Sequence, residues 1–172
     1  MTSTTLADDR ALRLTRGLRD LGYDEFIGVP CGILAPLFAA LDTDPGRVLY
    51  APREDTAVAV AAGAEMGGRR PLVVMQNSGL GQSVNALASL VVPYRLPIAM
   101  IVSLRGLPPD ATGENVVMGR LTEPLLGQMG IATRRCGDID DDLTWLARVS
   151  LTDRRPAALL VEPAFFGWDP AR

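Results

Sequence analysis

Apolar residues along this chain recur at two spacings in turn, and the alternation predicts a regular succession of helices and strands. Leu14, Leu18 and Leu21 share one helical face behind Asp8 and Asp9, either of which can cap the helix, and Gly22 stops it. Residues 25–29 read as a short strand. Pro30-Cys31-Gly32 then leads into a helix holding Ile33, Leu37, Phe38 and Leu41. Asp44-Pro45-Gly46 is a turn before a strand over 47–51, and Pro52-Arg53-Glu54-Asp55 opens a helix over 56–66 that Gly67-Gly68 ends. The apolar run 72–75 has the length and β-branched content of a buried strand. It breaks into Gln76-Asn77-Ser78-Gly79-Leu80-Gly81, read as a loop, after which Val84, Leu87, Ala88 and Leu90 return to helical spacing. Residues 98–103 form another buried strand. The stretch 105–120 carries Pro and Gly and reads as a long loop, unusual enough in a compact domain to mark function. A helix over 122–129, a strand over 131–135, a helix over 138–149 and a strand over 157–161 follow. The tail holds Phe165, Phe166 and Trp168.

Six strands alternating with helices imply a three-layer α/β fold, a mostly parallel six-stranded sheet with helices on both faces. The expected organisation is a single domain over 1–172, with 1–8 as a flexible lead. Ligands of such sheets bind beyond the carboxyl ends of the strands. Pro30-Cys31-Gly32, Arg53-Glu54, the block 76–81 and the segment 103–106 all fall there, so one rim collects the unusual sequences.

Composition narrows the chemistry. With 48% hydrophobic and 22% charged residues the chain has the make-up of an ordinary soluble α/β protein. A net charge of −3 with scattered arginines gives no footprint for nucleic acid, and no apolar run approaches a membrane span. Cys31 and Cys136 make no CxxC pair and fit a reducing cytoplasm, as does an N-terminus without a secretory pattern. The chain has no histidine, which removes Ser-His-Asp and Cys-His catalysis and every imidazole acid or base. Chemistry must rest on carboxylates, a thiol, arginine or a cofactor. No acidic or cysteine cluster has metal-ligand spacing, so no metal site is expected on this chain. A dinucleotide fingerprint fails because Val84 stands at its third glycine position. A nucleophile elbow around Ser78 fails because Gln76 replaces its first glycine.

Pro30-Cys31-Gly32, Arg53-Glu54, Met75-Gln76-Asn77-Ser78-Gly79-Leu80-Gly81 with Asn85-Ala86-Leu87-Ala88-Ser89-Leu90, Arg105-Gly106 and Met118-Gly119-Arg120 resemble the sulfopyruvate and phosphonopyruvate decarboxylases. The likeness runs in order over 22–168. That family belongs to the thiamine diphosphate enzymes, whose active site lies between a pyrimidine-binding and a diphosphate-binding domain. The chain resembles the pyrimidine-binding domain alone, the α subunit of a split enzyme. Gly137-Asp138 is followed by Ile139, and the last asparagine is Asn115, so the family's diphosphate motif has no match here. The resemblance therefore implies a diphosphate-binding β subunit that supplies the Mg²⁺ and diphosphate site, a shared thiamine diphosphate, and a heterotetramer or larger heteromer.

It also implies roles. Glu54 is the expected catalytic residue, hydrogen-bonding the aminopyrimidine ring nitrogen. Pro30, Cys31, Gln76, Asn77, Ser78 and Gly79 are expected around the cofactor, although Cys31 read by itself is a small buried hydrophobe. Gln76, Asn77, Arg105 and Arg120 are expected to bind the substrate, an anionic 2-oxo acid whose second acidic group calls for arginine, with Arg95 a weaker candidate. Asn85 either fixes the 76–81 loop or is a surface polar residue. Many phosphonopyruvate members carry a histidine just before the Met-Gly pair, where this chain has Gly113-Glu114-Asn115-Val116-Val117. The implied reaction releases CO₂ and the corresponding acetaldehyde from 3-phosphonopyruvate or 3-sulfopyruvate. Decarboxylation or carboligation of another 2-oxo acid, and a non-catalytic flavodoxin-like binding module, are the alternatives.

Overall fold

Side chains that alternate along the strands decide how the layers assemble. On β3 (Pro71–Gln76), Leu72 and Val74 enter one core, while Val73 and Met75 enter the other. The computed structural model describes residues 3–43, 48–110 and 112–169. All six strands pair in parallel, in the order β2-β1-β3-β4-β6-β5. The other strands are β1 (Glu25–Gly28), β2 (Val48–Tyr50), β4 (Ala99–Ser103), β5 (Ala132–Arg135) and β6 (Ala157–Val161). β4 and β6 are buried throughout, as continuous apolar runs should be when helices cover both faces.

One face carries α1 (Ser3–Asp20), α2 (Ala35–Thr43) and α7 (Ile139–Ala147). Their Leu14, Leu18, Leu37, Leu41, Leu143 and Leu146 pack on Phe26, Val74, Ile101 and Leu159. The other face carries α3 (Glu54–Met66), the short α4 (Asn77–Gln82) and α5 (Val84–Ala86), and α6 (Val116–Gln128). Ala57, Val58, Leu80, Leu87 and Leu126 meet Ile27, Met75, Met100 and Leu160 there. The expected three-layer α/β architecture is the one found. Among the described residues no helix is long and apolar enough to cross a membrane.

The chain reverses its winding twice. α2 leads from β1 outward to β2 on one face, and α3 returns across the other face to β3. α6 carries β4 past β6 to β5, and α7 brings the chain back on the opposite face. Crevices open at such switch points beyond the strand ends. Here they fall between β1 and β3 and between β4 and β6.

Four local expectations change. Asp8 and Asp9 do not cap α1, which already runs from Ser3; residues 3–8 are its first turns. The 76–81 stretch is not a loop: Gln76 closes β3 and α4 begins at Asn77. The 105–120 stretch is not a loop throughout, because a 3₁₀ turn over Gly113–Asn115 starts the chain into α6 at Val116. α2 begins at Ala35, leaving Ile33 in the preceding turn. The Asp44-Pro45-Gly46 turn and Arg47 lie outside the described residues. Asp138 does cap α7, accepting from the amides of Asp140 and Asp141 at 3.0 and 3.1 Å.

Candidate active site at the carboxyl ends of the strands

Glu54 is the first residue of α3, set at the rim by an extended Arg53. Arg53 folds onto Asp55, donating from Nε at 3.1 Å and Nη2 at 3.0 Å, and Asp55 also accepts the Thr56 amide at 2.8 Å. The neighbouring charges thus satisfy each other. The half-buried Glu54 carboxyl makes no hydrogen bond or ion pair with any described residue. Its side chain lies across the first turn of α4. A Cβ added to Gly79 would stand 2.1 Å from Glu54 Cδ and 2.2 Å from Cγ. Gly79 therefore serves close approach inside a helix rather than a turn. Gly81 does the same toward Met118, whose Cε would be 3.2 Å from an added Cβ.

Two residues before Gly79, Asn77 is fully buried and its amide is fully engaged. Nδ2 donates to the Arg105 carbonyl at 2.9 Å and to Thr122 Oγ1 at 3.2 Å, while Oδ1 accepts the Arg105 amide at 3.2 Å. Thr122 in turn donates to the Met118 carbonyl at 2.5 Å. This staple ties the end of β3 to the end of β4 and to α6. Expected to touch cofactor and substrate, the Asn77 side chain instead spends its donors and acceptor on the scaffold. Gln76 and Ser78 stay half-buried at the rim, where Gln76 Nε2 donates to Ser78 Oγ at 2.7 Å.

Arg105 lies beside a carboxylate that the sequence reading did not single out. Its Nε donates to Asp110 Oδ2 at 2.5 Å, Nη2 reaches Thr112 Oγ1 at 3.4 Å, and its guanidinium carbon sits 5.1 Å from the Trp168 ring centroid. Asp110 is 1% exposed and also accepts the amides of Gly106 at 2.9 Å and Thr112 at 3.2 Å, together with the Thr112 hydroxyl. Burial alone would push this carboxyl up. Arg105, Thr112 and the two amides outweigh it and hold the group well below the usual carboxylate range. The loop sits on α6 through two glycines. Gly106 has φ +81°, and an added Cβ would lie 2.0 Å from the Asn115 carbonyl oxygen; one on Gly119 would lie 2.6 Å from that of Gly106.

At the β1 end, Cys31 Sγ lies 3.3 Å from the buried Ser103 Oγ, and a Cβ added to Gly32 would lie 3.8 Å from Trp168 Nε1. At this rim Cys31 meets Ser103, Arg105 meets Asn77 and Trp168, and Glu54 lies on Gly79. Pro30 and Arg120 are exposed, and Arg120 has no ion pair among the described residues. Asn85 is an exposed helix residue accepting from Ser89 at 3.1 Å, so it does not fix the rim. Arg95 borders a cleft of about 590 Å³ with Val92, Met129 and Pro156, at the opposite end of the strands. Ser103 falls in the 103–106 segment that the sequence places at this rim, whereas Asp110 and Thr112 carry no local signal and Trp168 stands out only as part of an aromatic tail. No group of three or more Cys, Asp or Glu among the described residues could hold a metal ion.

The sequence is 37% identical to sulfopyruvate decarboxylase subunit alpha of Methanothermobacter thermautotrophicus over 155 residues, 87% of this chain and 93% of that one. The chain belongs to this decarboxylase family. The same subunit of Methanococcus maripaludis is 31% identical over 158 residues, 90% of this chain and 95% of that subunit. Phosphonopyruvate decarboxylase of Streptomyces viridochromogenes is 39% identical over 135 residues, but this chain spans only 34% of its length. A 2-oxoglutarate:ferredoxin oxidoreductase from Magnetococcus marinus superposes with a TM-score of 0.70 at 15% identity, over 92% of this chain and 29% of that one, a likeness of fold. No family model matches the sequence. Relatives carrying the name subunit alpha are parts of multi-subunit enzymes, and family membership brings a decarboxylase role to this chain.

Proposed function

We propose that the chain is the pyrimidine-binding α subunit of a thiamine diphosphate-dependent decarboxylase acting on 3-sulfopyruvate or 3-phosphonopyruvate. The observation that carries this reading is Glu54: a half-buried carboxyl, without a hydrogen bond to any described residue, laid across Gly79 at a strand-end crevice. Such a group suits a ring nitrogen that exchanges a proton during the reaction. The reaction consumes a 2-oxo acid and one proton and yields CO₂ and an aldehyde. Bound thiamine diphosphate would supply the electron sink for the pair left by CO₂.

Glu54 would hold the aminopyrimidine through a shared proton at its carboxyl oxygen. Pro30 and Cys31 at the β1 end and Gln76 and Ser78 at the β3 end would flank the ring. Gly79 keeps the space in which the carboxyl lies, and Asn77 fixes the backbone that presents Arg105. Arg105 and Arg120 are the cations for the substrate's acidic groups. The site opens outward along this rim, so a diphosphate-binding β subunit would close it and hold the Mg²⁺. The small residues of α3, among them the exposed Ala59 and Gly63, offer that partner a smooth surface.

The test is co-expression with the partner subunit, followed by an aldehyde assay on sulfopyruvate, phosphonopyruvate and pyruvate. Turnover of one of the two acidic substrates that needs both subunits and thiamine diphosphate is expected. An isolated, monodisperse chain that binds thiamine diphosphate by itself would contradict the shared site.

A further inference from the structure

The loop after β4 is built around a buried charge whose purpose the reading above leaves open. Asp110 receives Arg105 by its Nε edge, the amides of Gly106 and Thr112, and the Thr112 hydroxyl, which fills the acceptor capacity of its carboxylate. Arg105 is only 18% exposed, and its Nη1 donates to no described residue. One face of the guanidinium is covered by Trp168 at 5.1 Å, brought there by the 3₁₀ turn Pro163–Phe166 after β6. The guanidinium is therefore held on the Nε side, covered on one face, and left with an unused donor edge. The Asn77 staple fixes the backbone of the same residue from below, two positions away from the glycine under Glu54.

Resting on the decarboxylase reading, we propose that Asp110 is a positioning and specificity-determining residue. It aims the free Nη1 edge of Arg105 at the substrate's second acidic group, and its own charge favours a sulfonate over a phosphonate. The two candidate groups differ in charge. A sulfonate carries one negative charge, whereas a phosphonate, like a phosphate monoester, carries about −1.5 to −2 at neutral pH. An arginine by itself would attract the dianion more. An arginine neutralised by a buried carboxylate gives up most of that advantage and keeps its hydrogen bonds, because the added negative charge also meets Asp110 at short range and low dielectric. The Arg105–Asp110 pair is formally neutral, so it recognises by geometry and rejects excess charge.

The experiment measures kcat and KM for sulfopyruvate and phosphonopyruvate with the two-subunit enzyme, as wild type, Asp110→Asn and Thr112→Val. The wild type is expected to prefer sulfopyruvate in kcat/KM. Asp110→Asn is expected to raise KM for sulfopyruvate on the order of tenfold and to shift the preference toward phosphonopyruvate by a similar factor, with kcat changed far less. Thr112→Val keeps the charge and loses one support of the pair, so it should raise both KM values by about threefold without moving the preference, and it serves if Asp110→Asn does not fold. A wild type that prefers phosphonopyruvate, or an Asp110→Asn enzyme that loses kcat equally for both acids at unchanged KM, overturns this inference alone. A wild-type enzyme that decarboxylates neither acid overturns the underlying reading, and this inference with it.

Discussion

Gly79→Ala separates the chemistry of the site from the stability of the fold. The added methyl would stand 2.1 Å from Glu54 Cδ. Carbon atoms in contact need about 3.5 Å, so the carboxyl carbon must retreat by about 1.4 Å or turn to another rotamer. The obstacle is the end of a flexible side chain and not backbone, so the fold can absorb it. Alanine also gains about 0.8–1 kcal/mol over glycine inside a helix, which offsets the lost contact. The melting temperature of the isolated chain should then stay within about 4 °C of wild type. Turnover should not, because a 1 Å misplacement of a reacting group costs on the order of 10²-fold. Gly127→Ala is the control: that glycine lies in α6 with nothing within 4 Å of an added Cβ, so it should keep full activity. Differential scanning of the chain and steady-state decarboxylation by the two-subunit enzyme read the two quantities separately. Turnover within threefold of wild type at normal stability would refute the claim that the Glu54 position over Gly79 matters.

Gly106→Ala should behave in the opposite way. Its φ of +81° and the Asn115 carbonyl 2.0 Å from an added Cβ leave only backbone to move, so thermal melting should show a loss of about 2–4 kcal/mol. Tyr23 is buried with its hydroxyl 2.5 Å from Ser150 Oγ, and burial, only partly opposed by that bond and by Arg70, pushes its phenol up to about 12. The raised value means that its stabilising share is complete below pH 10, the unfolded value, and is lost as pH climbs through about 12. The slope is at most about 1.4 kcal/mol per pH unit. Tyr23→Phe should flatten that alkaline limb, leaving the part due to exposed Tyr50, whose phenol burial and Asp42 also push up to about 12. Identical alkaline melting profiles for the two proteins would contradict this.

The strands were legible because they are apolar runs with turn residues at both ends, and β1, β3, β4, β5 and β6 lie within a residue of where the pattern predicts them. α4 was not legible. Asn77, Ser78, Gly79 and Gly81 are poor helix formers, and nothing local reveals that the glycines make room for Glu54 and Met118. The first turns of α6 were hidden in the same way, since Gly119 is there to meet the Gly106 carbonyl. Arg105 was readable as a cation at a strand end, but its partner five residues on was not. A lone aspartate after Pro-Pro has no signature, and only folding of the loop buries it against that arginine. Asn77 stands in the block that carries the family likeness, and what its sequence position does not show is that the fold buries its side chain against the Arg105 backbone and Thr122.

The most direct measurement of the central claim is Glu54→Gln in the two-subunit enzyme. The substitution keeps size and leaves a side chain that can still hydrogen-bond, but removes the carboxyl's ability to give up and take back a proton. Assembly with the partner and binding of thiamine diphosphate should persist, and the decarboxylation rate should fall by about 10²–10⁴-fold. A Glu54→Gln enzyme that assembles normally and decarboxylates at close to the wild-type rate would contradict the account.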